Sequence, residues 1–544
     1  MDRRQGVSAL VLAAITLACL LPFAGKAFHM DDPLFIWTAR QISVDPLDFY
    51  GFKVNWEGTL APMSLVTQNP PLAAYYLALV ALLAGWSEVA LHAGFLMPAV
   101  AVVLGTHRLA RHFCAHPFWA ALGVVAAPVF VVSSTSVMCD TMMLAFWVWA
   151  LVFWIEGLQR DSRRQLVLSV LFVAAASLTK YFGVALVPLL LVYAWLEERP
   201  ARAWAPCLLL PVAILGAYQW WTYDLYGRGL LWNAVAYATQ LQVGGELPSK
   251  LLSTFAFTGG GMALLLFAAP WLWDVKRLAI GVAGFLAIVG LAVTMGKVGI
   301  VPVMDAAGGV RWSFVLQLSL WVVAGASAVV LAAADWRQRK GSASVLLFLW
   351  VAGTLLFTGL VNWAVSGRNI LPMLPAVSLL IVRRLEACGI LQEGARPKLL
   401  YLPVALSVAL AMLVAQADYR LAAAAREAAQ EIKARAGSSA KALKFEGHWG
   451  FQYYMEALGA TALDERDLRL APNDAVVVPL ENSYFFPLPA QIVEPWFTHE
   501  IAWSRWLSTM DGSLGAGYYA DGWGPLPFVF ARVPREQYAV YRVR

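Results

Sequence analysis

The chain has 544 residues, of which 60% are hydrophobic and 14% charged, with a net charge of +6. Soluble domains carry about 25% charged residues, so this composition excludes a soluble globule and indicates a polytopic α-helical membrane protein. The basic excess does not require a nucleic-acid partner, because Lys and Arg in such a chain set orientation loop by loop.

A membrane-spanning helix needs about 20 mainly apolar residues. Thirteen candidate runs lie at 6–25, 88–107, 117–135, 140–157, 165–180, 182–197, 203–222, 255–273, 278–295, 313–333, 343–363, 370–387 and 398–416. The first follows Arg3-Arg4 and reads as a retained signal-anchor, since it is long for a cleaved signal peptide. The loop after it, 27–87, opens on Phe28-His29-Met30-Asp31-Asp32-Pro33. Carboxylates beside a bilayer are costly to desolvate, which suggests chemistry such as deprotonation of an acceptor hydroxyl; the plain alternative is helix capping. Later in this loop Pro71–Trp86 is apolar but only 16 residues long and opens on Pro70-Pro71, so a re-entrant or interfacial helix is expected.

If that segment does not cross, the basic clusters share one face: Arg3-Arg4, Arg108 with Arg111, Arg160 with Arg163-Arg164, Arg199 with Arg202, Lys276-Arg277, Arg337 to Lys340, and Arg383-Arg384 with Arg396 and Lys398. The positive-inside rule makes that face cytoplasmic. The N-terminus is then cytoplasmic. The loops 27–87 and 223–254, the short loop around Arg368 and everything beyond Gln416 then face the outer, periplasm-like side.

Beyond Gln416 the composition shifts. An Ala-rich charged helix over 418–435, a strand near 442–446, an amphipathic helix near 451–458 and a β run at 475–480 predict a compact α/β domain over 417–544, a normal single-domain size. The five cysteines show no metal-site spacing, and His29 and His448 are isolated, so no cofactor is expected and a divalent metal lacks support from ligand spacing. There is no nucleotide-binding loop. The run Gly259-Gly260-Gly261 reads as a site of close helix packing.

Several polar residues collect on the outer face. Asp140 opens a span and has helix capping as its plain alternative. Lys180 ends a span and has snorkelling as its alternative. Arg368 lies outside, against the positive-inside trend, which makes orientation a poor account of it. Arg228, in Tyr226-Gly227-Arg228-Gly229, also lies outside and has an ordinary loop role as its alternative.

The order of Asp31-Asp32, Asn69-Pro70-Pro71-Leu72 with Tyr75-Tyr76, Asp140, Leu178-Thr179-Lys180 followed by Pro188, and Gly367-Arg368-Asn369-Ile370-Leu371-Pro372-Met373-Leu374-Pro375 resembles glycosyltransferase family 39. That family includes the protein O-mannosyltransferases and the transferases that place aminoarabinose on lipid A. The resemblance implies the C-type glycosyltransferase fold over residues 1–416. It also implies a polyprenyl-phosphate-linked sugar donor and a lipid, protein or glycan acceptor. By alignment with the family's first acid, Asp31 becomes the base, with Asp32 beside it, and Asp140, Lys180, Arg368, Arg228 and Tyr75 become candidate substrate-binding residues. Two stretches of the tail, Gly447–Met455 and Gly522–Phe528, are similar to ones in bacterial members.

There are departures. The family's usual Asp-Glu is Asp31-Asp32 here, and aminoarabinose transferases carry a lysine where this chain has Asn69, which argues against that sugar. A lipid-phosphate donor needs no nucleotide fold. One-step displacement by a hydroxyl inverts the anomeric centre and needs a carboxylate base, and the departing phosphate needs a cation suited to its oxygens. The competing class is a polytopic secondary transporter, which commonly has internal repeats. None is evident here.

Overall fold

The computed structural model describes residues 3–240, 247–391, 400–437, 439–482 and 485–544. Arg396 and Lys398 lie outside the described residues. All thirteen apolar runs are helical where described, though they are far from equivalent. Eight helices among the described residues are long and apolar enough to cross a membrane, or nine if the pair Pro117–Val125 and Pro128–Ser134, bent by 61°, is one span. By length and composition alone, eight or nine of the thirteen expected runs therefore qualify as candidate spans. The bend has a local cause: Pro128 opens the second half, and the residue before it, Ala127, is driven to φ −88°, ψ 127°, outside the helical region. The run at 255–273 is likewise divided into Leu247–Gly261, Leu264–Phe267 and Ala269–Leu272.

The segment after Pro70-Pro71 forms the helix Leu72–Ala84, of 13 residues. At about 1.5 Å per residue it reaches about 20 Å, short of a hydrocarbon core of about 30 Å. Gly259 packs against Gly325 of the helix Trp312–Arg339. A Cβ on either would collide with a carbonyl oxygen of the other helix, that of Trp321 or Phe255, so the glycine run permits a close crossing.

Polar contacts between loops fall into two groups that follow the charge-derived sidedness. In one, Glu156 takes Arg108 at 2.7 Å and Arg160 at 3.5 Å, Asp335 takes Arg383 at 2.9 Å and Arg339 at 3.4 Å, and His116 meets Glu386 at 3.0 Å. These join the basic loops to one another. In the other, loops assigned to the outer face meet: the backbone N–H of Tyr50 donates to the Tyr226 hydroxyl at 3.0 Å, Lys250 donates to the Asn362 carbonyl at 2.5 Å, and Arg311 donates to the Ser513 carbonyl at 2.6 Å.

The last long helix, Tyr401–Ala436, continues unbroken past Gln416 into the tail. There a five-stranded sheet runs in the order Thr461–Ala462, Leu443–Phe445, Ala475–Pro479, Glu536–Val543, Val493–Ile501. Leu443–Phe445 is parallel to both neighbours, and the helix Trp449–Ala457 connects it to Thr461–Ala462; Glu536–Val543 is antiparallel to both of its neighbours. The tail is therefore mixed α/β; of the four elements read from the sequence, the helix over 418–435 is the end of Tyr401–Ala436, and the other three lie within two residues of their expected places.

Candidate active site

The site begins where the first helix ends. Leu21–Phe23 tightens into a 3-10 turn, Met30 takes a left-handed φ of 47°, and the chain enters the helix Asp32–Val44. The two acids at this corner have different surroundings. Asp32 is fully buried, and its two oxygens accept the backbone N–H groups of His29 at 2.9 Å and Val137 at 3.0 Å. Burial pushes its carboxyl up to about 7, with Lys26 and the two amides working the other way. Asp31 makes no helix-cap hydrogen bond, and its side chain is 28% exposed. It instead accepts from Arg368 Nη1 at 2.7 Å.

Arg368 rides on the four-residue helix Gly367–Ile370, which the Ser366 hydroxyl caps by accepting the Asn369 N–H at 3.3 Å. The same Nη1 reaches Met138 Sδ at 3.0 Å. Burial opposes the guanidinium charge, but Asp31 and Asp140 outweigh it and push the Arg368 pKa up. Lys180 ends the helix Arg163–Thr179 and donates to Asp140 Oδ1 at 2.6 Å. The carboxylate of Asp140 is thus committed to Lys180, and the lysine, 21% exposed, is paired rather than snorkelling.

These contacts converge on four consecutive residues. The Val137 amide binds Asp32, Met138 Sδ meets Arg368, Cys139 Sγ reaches Asn69 Oδ1 at 3.6 Å, and Asp140 holds Lys180. The segment between two membrane helices therefore ties together all five motifs read in order along the sequence. Tyr75 and Arg228 stand apart. The Tyr75 hydroxyl donates to the Pro46 carbonyl and its ring packs on Phe49, while Arg228, half-buried, makes no ion pair among the described residues.

Sequence reasoning missed the support behind the pair. Lys26, fully buried, binds Asp418 at 2.5 Å, and Asp418 also accepts from Thr509 at 3.2 Å and Tyr519 at 2.9 Å. A lysine between Gly25 and Ala27, at the end of an apolar run, was the one signal available. His29 is also buried; burial takes its pKa down to about 4, and its Nε2 has no hydrogen-bond partner among the described residues. Among the described residues no group of three or more His, Cys, Asp or Glu could hold a metal ion. A cavity of about 800 Å³ opens farther along the helix Asp32–Val44, between Trp37, Arg40, Lys53 and the tail residues Asp464 and Arg469. The Asp31–Arg368 pair is not in its lining.

A partly exposed carboxylate locked to a guanidinium, beside a second lysine–carboxylate pair, can accept a proton at one point and hold an anion next to it. Among solved structures, the Archaeoglobus fulgidus oligosaccharyltransferase in the apo form aligns with a TM-score of 0.50 at 12% identity, over 88% of this chain and 70% of that one. ArnT from Cupriavidus metallidurans bound to undecaprenyl phosphate aligns with a TM-score of 0.44 at 15% identity, over 87% and 92%. No curated protein matches the chain in sequence. The archaeal likeness is one of fold, so the chain is a polytopic membrane protein that shares the fold of that structure. Residues 68–222, which hold Asn69, Asp140 and Lys180, match the family model described as dolichyl-phosphate-mannose-protein mannosyltransferase. With the ordered motifs, this makes the chain similar to glycosyltransferase family 39.

Proposed function

We propose that the protein is an inverting membrane glycosyltransferase that moves a sugar from a polyprenyl-phosphate carrier to a hydroxyl on a glycolipid, protein or envelope polymer. The observation that carries this reading is the convergence of Asp31, Asp32, Asp140, Lys180 and Arg368 on residues 137–140. Asp31 is the general base: it is the acid of the pair that remains accessible, and a base must reach the proton it removes. The acceptor oxygen attacks the anomeric carbon as its proton passes to Asp31. The sugar–phosphate bond breaks on the opposite face, which inverts the centre. Arg368 meets the leaving phosphate with the guanidinium nitrogens that Asp31 does not use, and its planar fork suits phosphate oxygens. Asp32 positions the Val137–Asp140 segment, and Lys180 with Asp140 supports the donor side.

The reading includes a cytoplasmic N-terminus, thirteen crossings and a periplasmic tail over 417–544. Its support is the basic character of the loops on one side and the grouping of loop contacts into two sets. The test is mass spectrometry of envelope glycans, glycolipids and glycoproteins from a deletion strain, from its parent, and from the deletion strain complemented with wild type or Asp31→Asn. A sugar lost on deletion should return with wild type alone. An unchanged glycan profile in the deletion strain, or full rescue by Asp31→Asn, would overturn the proposal.

A further inference from the structure

Arg368 is placed from the far end of the chain. The segment Tyr518–Asp521 lies along the loop that carries it and holds that loop on the N-terminal side of the arginine. The Gly367 N–H donates to the Tyr518 carbonyl at 2.8 Å; the Val365 N–H donates to Asp521 Oδ1 at 2.8 Å, and the Asp521 N–H returns a bond to the Val365 carbonyl at 2.8 Å. The approach is close enough that a Cβ on Gly367 would sit 2.7 Å from Tyr518 Cζ, so only glycine fits without displacement. The Tyr518 hydroxyl lies 2.9 Å from Ser133 Oγ and donates to the Val129 carbonyl at 3.2 Å, anchoring the segment in the membrane part.

Tyr519 acts on the arginine directly. The Arg368 guanidinium carbon lies 5.7 Å from the Tyr519 ring centroid, within reach of a cation–π attraction. The ring cannot turn away freely. Its hydroxyl is bound to Asp418, itself paired with Lys26, and the edge-on His29 ring lies 5.5 Å away at 79°. Among the described residues only Nη1 of Arg368 makes hydrogen bonds, which leaves its other nitrogens for a ligand.

We propose that the tail completes the active site: Tyr519 is a positioning residue that fixes the Arg368 guanidinium between its own ring and the Asp31 carboxylate, poised for the donor phosphate. This rests on the transferase reading above. A lone arginine beside a carboxylate has many rotamers; pinned between an aromatic ring and an acid, it presents one arrangement, and less entropy is lost when the phosphate arrives. The tail would then bear on donor binding as well as on any acceptor.

The test uses the purified full chain in detergent, with undecaprenyl phosphate as the binding probe. Tyr519→Phe keeps the ring and loses the bond to Asp418. Pentafluorophenylalanine at position 519 keeps nearly the same shape but reverses the charge distribution of the ring face. The expected result is that the fluorinated protein binds the probe about 2- to 30-fold more weakly than Tyr519→Phe, with equal thermal unfolding of the two. In an Arg368→Ala background the difference should vanish. Equal affinity of the two ring variants, or a difference that persists without Arg368, overturns the role of Tyr519. If Arg368→Ala binds the probe like wild type, the phosphate assignment itself falls, and the Tyr519 proposal falls with it.

Discussion

The Asp31–Arg368 pair makes a prediction that goes beyond loss of activity. Asp31→Asn removes a negative charge but leaves an amide oxygen able to accept from Arg368 Nη1, now 2.7 Å from the carboxylate, so the arginine should stay in place. Turnover should fall about 10²- to 10⁴-fold, as for loss of a positioned base. Donor affinity should move the other way. A phosphate on the free side of the guanidinium would sit about 6 Å from the carboxylate, a repulsion of about 3 kcal/mol at an effective dielectric of about 20. The two side chains are 28% and 20% exposed, so solvent and salt reduce this to about 1 kcal/mol, or about a fivefold gain in affinity. Titration of the purified variant with undecaprenyl phosphate at low and high ionic strength measures it, and the gain should shrink with salt. Weaker binding by Asp31→Asn would refute the reasoning and make Asp31 part of the donor site or the element that holds Arg368 in position.

Asp32→Asn should destabilise the protein by about 1–3 kcal/mol, because one of the two amides now bound to carboxylate oxygens would face an NH₂ group. The effect depends on pH. Burial raises the Asp32 carboxyl to about 7, against about 3.9 in the unfolded chain, so its stabilising contribution is full below about 4 and is lost as pH rises through about 7. The thermal-stability gap between wild type and Asp32→Asn should therefore narrow over that interval, and a gap that widens would contradict the assignment. Lys26→Met leaves Asp418 charged and buried and should cost about 3–5 kcal/mol, whereas Lys26→Met with Asp418→Leu should recover most of it; thermal unfolding of the detergent-solubilised protein distinguishes the two outcomes. A reporter active only outside the cytoplasm should work when fused after Gly437 and fail when inserted near Arg202; the reverse pattern would invert the topology.

Local chemistry made much of this architecture legible. The apolar runs, the short helix after Pro70-Pro71 and the order of the site motifs all depend on neighbouring residues, and each was readable. The interruption at Pro128 was also written locally, but the run around it was apolar enough to read as one span. In the tail, Pro495 argues locally against a strand over Val493–Ile501; the proline is tolerated because the strand lies at the sheet edge. Glu536–Val543 carries a Tyr538-Ala539-Val540-Tyr541 core that was a missed β signal. What no local pattern supplies is pairing. Lys180 with Asp140 closes 40 residues, Arg368 with Asp31 closes 337, and Lys26 with Asp418 closes 392. Each polar residue could be suspected alone; that Asp31 meets a guanidinium while Asp32 gains a second amide follows only from where Arg368 and Val137 arrive.

The unbroken helix Tyr401–Ala436 makes the tail and the membrane part share a rotational phase. Each residue advances an α-helix by about 100° and 1.5 Å. One residue added between Tyr401 and Asp418 would swing that carboxylate about a quarter-turn away from Lys26 and carry the Tyr519 anchor with it. A deletion would do the same in the opposite sense. Tails exchanged between related chains should therefore be interchangeable only when the junction preserves helical register, however well each part folds.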